Sequence, residues 1–169
     1  FAYGNGVYVV AHMGCMLYSE DGITWTEGTT PVVGGWTSVA YGNGRFVAGS
    51  TDGYTIYSDD GKNWTQVGGK FEYLATNHKL AYGDGKFVAA ISTMAFACLY
   101  STDGITWKWD CTVDGEFSGY ASAICYGGDK FVVLSPHGQA LYSYDVINWE
   151  MTTVPVEAHY NSVTYGNGV

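Results

Sequence analysis

The sequence predicts an all-β fold, a β-propeller of four-stranded antiparallel blades, with about four blades inside its 169 residues. Three observations carry that expectation. The chain holds 24 Gly, 15 Tyr and 6 Trp, and aromatics favour strands while glycines favour tight turns. No stretch keeps a helical period. Finally, one unit of about 40 residues recurs along the chain, the repeat length of a propeller blade. A solenoid of β-hairpins is the alternative architecture for the same repeat.

Each unit opens on a Tyr-Gly step. Tyr-Gly-Asn-Gly begins at Tyr3, Tyr41 and Tyr165, Tyr-Gly-Asp-Gly at Tyr82, and Tyr-Gly-Gly-Asp at Tyr126. These steps end the predicted first strands, and their last two residues tolerate the positive φ of a two-residue hairpin. An aromatic-Val pair follows in the predicted second strand: Tyr8-Val9, Phe46-Val47, Phe87-Val88 and Phe131-Val132. A Tyr-Ser pair, at Tyr18, Tyr57, Tyr100 and Tyr142, closes the third strand. A tight turn then leads to Trp25, Trp64, Trp107 and Trp149 at the fourth strand. The expected blades are 1–36, 37–77, 78–121 and 122–160, with 161–169 as the first strand of a further or closing blade. The repeat is therefore out of phase at both ends. The expectation is that the region belongs to a larger propeller or assembly, through further blades of the same polypeptide or association of copies, because open blades leave unpaired strand edges.

The third turn has its own chemistry. Its Ser, Asp and Trp positions are Ser19, Asp21 and Trp25; Ser58, Asp60 and Trp64; Ser101, Asp103 and Trp107; and Ser143, Asp145 and Trp149. A carboxylate accepts backbone N–H groups across its own turn, and the following Gly supplies positive φ. The fourth copy has Val146 where the others have Gly. The expected role is structural, with the indole folding over the turn to seal the blade. Because the turns recur on every blade, the four carboxylates are spaced around one rim and do not converge as metal ligands or catalytic acids. These segments resemble a shortened Asp box, the BNR repeat of sialidase-like propellers, lacking one residue between Asp and Gly. Combined with the Y-G-N-G-x-F-V segments, they also resemble repeats of bacteriophage tail and fibre proteins and of secreted bacterial proteins. That resemblance implies a virion-associated or extracellular protein with host-surface or glycan recognition, or a spacer role.

Charge narrows the function. The net charge is −9, with only 7 Lys plus Arg. Nucleic acid is a poor partner for such a chain, since phosphate binding needs a basic patch. Anionic membrane surfaces are disfavoured for the same reason, and no apolar run of about 18 residues is available to span a bilayer. The cysteines, Cys15, Cys98, Cys111 and Cys125, lack metal-ligand spacing. Cys98 and Cys111 lie symmetrically about a predicted hairpin, so a bridge between them is open beside the reading of four buried thiols. No metal or cofactor is expected.

An enzyme is not expected either. The resemblance to sialidases implies an arginine triad gripping a carboxylate, and this chain has one arginine, Arg45. Carboxylate clamping of that kind needs guanidinium forks. The histidines, His12, His78, His137 and His159, are scattered one per unit. The candidate acids Asp110, Asp114, Glu116 and Glu157 have no sequence signal that pairs them at a working separation. The alternative is a sialidase-like glycan-processing enzyme whose catalytic residues lie outside this segment.

Propeller topology places the Tyr-Gly turns and the Ser-x-Asp turns on one face. The irregular loops between second and third strands, and those between blades, lie on the other. Loops carry function on a rigid scaffold, so a glycan or surface-protein partner is expected on the variable face. Its candidate contacts are Trp36, Tyr73, Trp109, Tyr120 and Tyr160, with His137 nearby, since aromatic rings stack on sugars and anchor interfaces. Trp36 and Tyr160 hold matching places before a first strand, where packing between blades is the competing role.

Overall fold

The computed structural model describes residues 1–68, 78–92, 96–114, 117, 120–155 and 160–166. Among them every regular element is a β-strand, and the strands form four sheets. The first sheet runs β1(Ala2–Gly4), β2(Val7–His12), β3(Cys15–Ser19), β4(Thr26–Glu27). The second is β5(Trp36–Gly42), β6(Arg45–Ser50), β7(Thr55–Ser58), β8(Thr65–Gln66). Both are antiparallel meanders in sequence order, as a blade requires.

The hairpin chemistry is what the sequence predicts. Asn5-Gly6, Asn43-Gly44 and Asp84-Gly85 all have positive φ at both positions, between 46° and 77°. Gly128-Asp129 reverses the residue order and keeps both angles positive. Two successive left-handed residues match the twist of the flanking strands, so each unit folds back after its Tyr-Gly step.

The third and fourth sheets depart from the expected pattern. β9(Lys79–Gly83), β10(Lys86–Ser92) and β11(Phe96–Ser101) form the third. Its fourth strand shrinks to a single bridge, where Lys108 exchanges both backbone hydrogen bonds with Tyr100. The chain then leaves for the next blade. β12(Thr112–Asp114) pairs in parallel with β16(Asn148–Thr153), outside β15(Gln139–Ser143), β14(Lys130–Leu134) and β13(Ala123–Gly127). The fourth sheet thus has five strands, and the fifth comes from the stretch assigned to the third unit. It covers the outer edge of β16, an edge otherwise open to pairing with other chains. Residues 160–166 form no strand.

Successive blades meet through their first strands, with β5 beside β1 and β9, and β9 beside β13. A cross-strand bond from Leu80 N–H to Ser38 Oγ (2.9 Å) ties β9 to β5. The joint itself is a ring on a glycine. A Cβ built on Gly4 would lie 2.3 Å from the ring of Tyr41. Gly42 stands in the same relation to Tyr82 (2.0 Å), Gly83 to Tyr126 (1.9 Å) and Gly127 to Tyr165 (1.9 Å). Real carbons never approach so closely, so only glycine admits the ring. The same tyrosines rest on the aromatic of their own second strand: Tyr41 on Phe46, Tyr82 on Phe87 and Tyr126 on Phe131, with centroids 4.6–4.8 Å apart. Phe46, Phe87 and Phe131 are fully buried. Burying such a side chain contributes about 1.5–3 kcal/mol. The Tyr-Gly…Phe-Val spacing is thus the sequence record of one blade joint, repeated.

The core follows from these joints. Its three clusters each draw on two neighbouring blades: Val7, Val9 and Met16 with Phe46, Ile56 and Trp64; Ala40 and Val47 with Phe87 and Leu99; Val88 and Cys98 with Phe131, Leu141 and Trp149.

Gly83→Ala forces a methyl into the Tyr126 ring and is expected to destabilise the protein by about 1–3 kcal/mol. Gly166→Ala meets nothing within 4 Å and is expected to change stability by less than about 0.5 kcal/mol. Urea melts of the two variants beside the parent measure the contrast; equal effects would contradict the joint.

Candidate functional site

The repeated face is built first by its Ser-x-Asp turns, which share one geometry. Asp21 Oδ1 accepts the N–H groups of Ile23 (2.8 Å) and Thr24 (2.7 Å), and Ser19 Oγ accepts that of Gly22 (2.8 Å). Asp60, Asp103 and Asp145 accept the N–H groups two and three residues ahead at 2.7–2.9 Å. Ser58, Ser101 and Ser143 repeat the second bond. Val146 takes the glycine place at φ 70°, a left-handed angle costly for a β-branched residue. Its side chain is buried against Cys98 and Trp149 in the joint between the third and fourth blades, and that burial offsets the backbone cost.

These bonds stabilise the charged carboxylates. The N–H groups of Thr106 and Ile105 hold Asp103 down at about 2. The N–H of Asn148 does the same for Asp145, also about 2, against a smaller opposing effect of burial. Asp21 lies lower still, through Thr24, Ile23 and Ser19. For Asp60 burial is the largest single influence and raises its pKa, but the combined bonds from Asn63, Lys62 and Ser58 outweigh it. All four are thus anions at neutral pH, committed to their own turns and unsuited to donate protons there.

The tryptophans of these turns seal joints between blades. Trp64 and Trp149 are buried, and Trp107 is half-buried against the cluster between the second and third blades. Trp25 corrects the expectation, being 42% exposed. The Trp of each later unit packs toward the preceding blade, and among the described residues no blade precedes the first. Tyr3, which meets no glycine among the described residues, is exposed as well.

Charged side chains on this face also latch blades together. Arg45 grips both carboxylate oxygens of Asp59 through Nε (2.6 Å) and one Nη (3.2 Å). Its other Nη donates to the Asp103 carbonyl of the next blade (2.8 Å). Its guanidinium also stacks on Tyr57, 4.4 Å from the ring centre. Lys62 reaches back to Glu20 in the first blade. Asn5 donates to the carbonyls of Gly44 and Asp59 and accepts from Tyr41 Oη. The sole arginine is therefore occupied in a joint.

The opposite face differs from unit to unit. Between the first two blades, the linker is clamped by the adjoining turns. Gly14 N–H donates to Gly34 O and Thr51 N–H to Gly35 O, both at 2.9 Å, and Asp52 accepts the Gly35 N–H (2.8 Å). The exposed turn His12–Cys15 and the turn at His137 belong to this face. Near the beginnings of the first strands lies a cleft of about 200 Å³. Thr37, Ser38, Lys79, Ser122, Asn161 and Ser162 give it a polar lining, so segments from all later units contribute. Sequence reasoning missed these residues. Their one signal is register, three or four positions before the Tyr of each Tyr-Gly step.

The candidate contacts divide on this face. Trp36 is 1% exposed, inside the core cluster of the first two blades. It is corrected to a packing residue, because it opens β5 where the two blades close. Tyr120 is 49% exposed and lies two residues before the cleft segment that starts at Ser122. Half-buried Tyr160 directly precedes the cleft's Asn161. Trp109 is 51% exposed, but it follows the bridge at Lys108 on the outer edge of the third sheet, three strands from β9, and the structure does not bring it to the cleft. His137 is exposed at the tip of the β14–β15 turn. His78 is buried beside Gly49. Tyr73 and His159 lie outside the described residues, as do Glu116 and Glu157. Asp110 accepts the Tyr100 hydroxyl at 3.3 Å. Among the described residues no three His, Cys, Asp or Glu side chains gather as a metal would require.

No family model matches the chain, and no curated protein sequence does. Solved structures show what fold it shares. YCF48 bound to D1 peptide superposes with a TM-score of 0.70 at 14% identity, over 96% of this chain and 56% of that one. The computationally designed Ika4 protein gives 0.56 at 12% identity, over 78% and 80%. The Niastella koreensis GH74 enzyme gives 0.63 at 25% identity, over 91% and 24%. YCF48 and the GH74 enzyme are β-propellers. The fold of this chain is that of a β-propeller, all-β with four-stranded antiparallel blades, and the chain spans about half the length of the YCF48 chain.

Acid tests the turn chemistry. A carboxylate held below its unfolded pKa of about 3.9 stabilises the fold fully above that pH and loses the effect as pH falls toward its folded value. Melting temperature is expected to be flat near neutrality and to drop between about pH 4 and pH 2. Asp60→Ala is expected to cost about 1–2 kcal/mol at pH 7, as loss of a capping acceptor does, and to blunt the acid response. A melting temperature indifferent to pH from 5 to 2 would contradict it.

Proposed function

We propose that this β-propeller region is a non-enzymatic recognition module displayed on a virion, as in a bacteriophage tail or fibre, or on a bacterial cell surface, and that it binds a host glycan or surface protein through its variable-loop face. The observation that carries this reading is the division of labour between the faces. On the repeated face the four Ser-x-Asp carboxylates and Arg45 are committed to turns and joints. Loop variety, the polar cleft and the exposed Tyr120 and His137 lie opposite. We read the turns as shortened Asp boxes with a structural role.

Hydroxyls, one amide and the Lys79 ammonium in the cleft suit a ligand rich in hydroxyl and carbonyl groups. The exposed Tyr120, two residues before the cleft's Ser122, offers a stacking surface, the usual partner for a sugar face or an apolar side chain. Among known propellers, the YCF48 structure holds a D1 peptide, a precedent for a protein partner. The non-enzymatic reading is supported by the commitment of Arg45, since a carboxylate clamp needs free guanidinium forks.

Screening the purified protein on arrays of glycans and host-surface proteins is expected to return binders without consuming them. Tyr120→Ala should weaken capture about tenfold, the order of one stacked ring at an interface, while leaving the melting temperature unchanged. Asp60→Ala should do the opposite. Release of sugar from any arrayed glycan, or binding lost equally in both variants, would contradict the proposal.

A further inference from the structure

One buried pair of side chains is used by neither the scaffold turns nor the cleft. Cys98 lies in β11 with no exposed surface, inside the cluster shared by the third and fourth blades. Cys111 is half-buried and packs against the same cluster. Its sulfur sits over the Cys98 peptide, accepting the Cys98 N–H at 3.1 Å and donating to the Cys98 carbonyl at 3.3 Å. Cys98 Sγ further approaches the Val146 carbonyl of the next blade at 3.5 Å. Both thiols are free.

Their place in the fold gives a bond between them a consequence. Cys111 lies between two anchors of the strap that joins the blades. Upstream, Lys108 pairs with Tyr100 on the third blade. Downstream, Thr112 N–H donates to Ile147 O at 2.7 Å as β12 begins its parallel pairing on the fourth. A Cys98–Cys111 link would fasten the strap to the third blade just before it crosses. The other thiols have no comparable neighbour among the described residues: Cys15 contacts His12 in the first blade, and Cys125 lies in β13.

We propose that Cys98 and Cys111 form a reversible thiol–disulfide pair that locks the strap between the third and fourth blades. Cys111 is the attacking sulfur and Cys98 the resolving one. With a low-molecular-weight disulfide such as glutathione disulfide, the Cys111 thiolate attacks one sulfur. The oxidant's S–S bond breaks, and the first glutathione leaves as a thiolate that takes up the proton given up by Cys111. The Cys98 sulfur then attacks the mixed disulfide at Cys111, the protein S–S bond forms, and the second glutathione departs with the proton from Cys98. Two protein thiols are oxidised by two electrons and one disulfide is reduced to two thiols. The assignment of roles follows from access, since Cys111 is reachable and Cys98 is not. The neighbouring Cys98 side chain and N–H favour the Cys111 thiolate and lower its pKa, whereas burial pushes that of Cys98 up. A lowered thiol pKa marks the reactive member of a pair.

The test is made on the purified protein equilibrated in glutathione buffers, reducing and oxidising. Thiol counts in denaturant are expected to fall from four to two per chain. Non-reducing peptide mapping should recover one cross-linked product, Cys98 to Cys111, at unchanged chain mass apart from the loss of two hydrogens. Closing a loop of this length should raise the melting temperature by about 5–10 °C, reversed by dithiothreitol. Cys111→Ser should abolish both changes, and the double variant C15S/C125S should keep them. Four thiols persisting in oxidising buffer, a glutathione adduct that does not resolve, or a map showing any other pairing would overturn the proposal on the parent protein alone, whatever the folding of the serine variant.

Discussion

At each junction between units a tyrosine ring lies against the Cα of a glycine in the unit before it, so close that no other residue fits there. That contact fixes how far apart neighbouring first strands stand. It seats the ring on the Phe of its own second strand, and the Phe in turn fills the space between blades. Placed by these joints, the turns of neighbouring blades come within reach of one another, as the Arg45 and Asn5 latches show. Tyr165 repeats the joint on Gly127 although residues 160–166 form no strand. The joint thus operates with a Tyr-Gly segment outside any sheet.

What was legible in the sequence is what local chemistry determines. Asn-Gly and Asp-Gly suit left-handed backbone, and the pairs that join first to second strands, Asn5-Gly6, Asn43-Gly44 and Asp84-Gly85, adopt it at both positions. Ser, Asp and Gly at fixed offsets in the third turn allow one hydrogen-bond pattern, which even Val146 obeys. What was not legible depends on partners distant in sequence. Nothing in Thr112-Val113-Asp114 says that it pairs in parallel with a strand beginning thirty-six residues later. Nothing around Trp107 says that its fourth strand stops at Lys108. Trp36 and Tyr160 share a sequence position, yet one is buried and the other half-exposed, because only Trp36 opens a strand between two complete blades.

The same division separates scaffold from recognition. Repetition spends polar side chains on turns and latches, where their charge and geometry are already committed. The loops opposite do not repeat, and where they are clamped, as at Gly14, Gly35 and Asp52, the bonds belong to one pair of blades. There the cleft draws Ser38, Lys79 and Ser122 from successive units, and the exposed Tyr120 lies two residues before Ser122 in the chain. The site escaped sequence reasoning because its lining residues are small and ordinary; register on neighbouring strands, and not residue type, makes them neighbours. The thiol pair belongs to the same class of feature, created where a strap crosses between blades.

Hydrogen exchange with and without a ligand taken from the array screen tests the central claim most directly, that recognition belongs to the variable face and not to the repeated one. Binding is expected to slow exchange in segments 36–39, 78–80 and 120–124, which border the cleft, and to leave the hairpin turns at 4–7, 42–45, 83–86 and 127–130 unchanged. Slowing confined to those turns, with the cleft segments unaffected, would contradict the account.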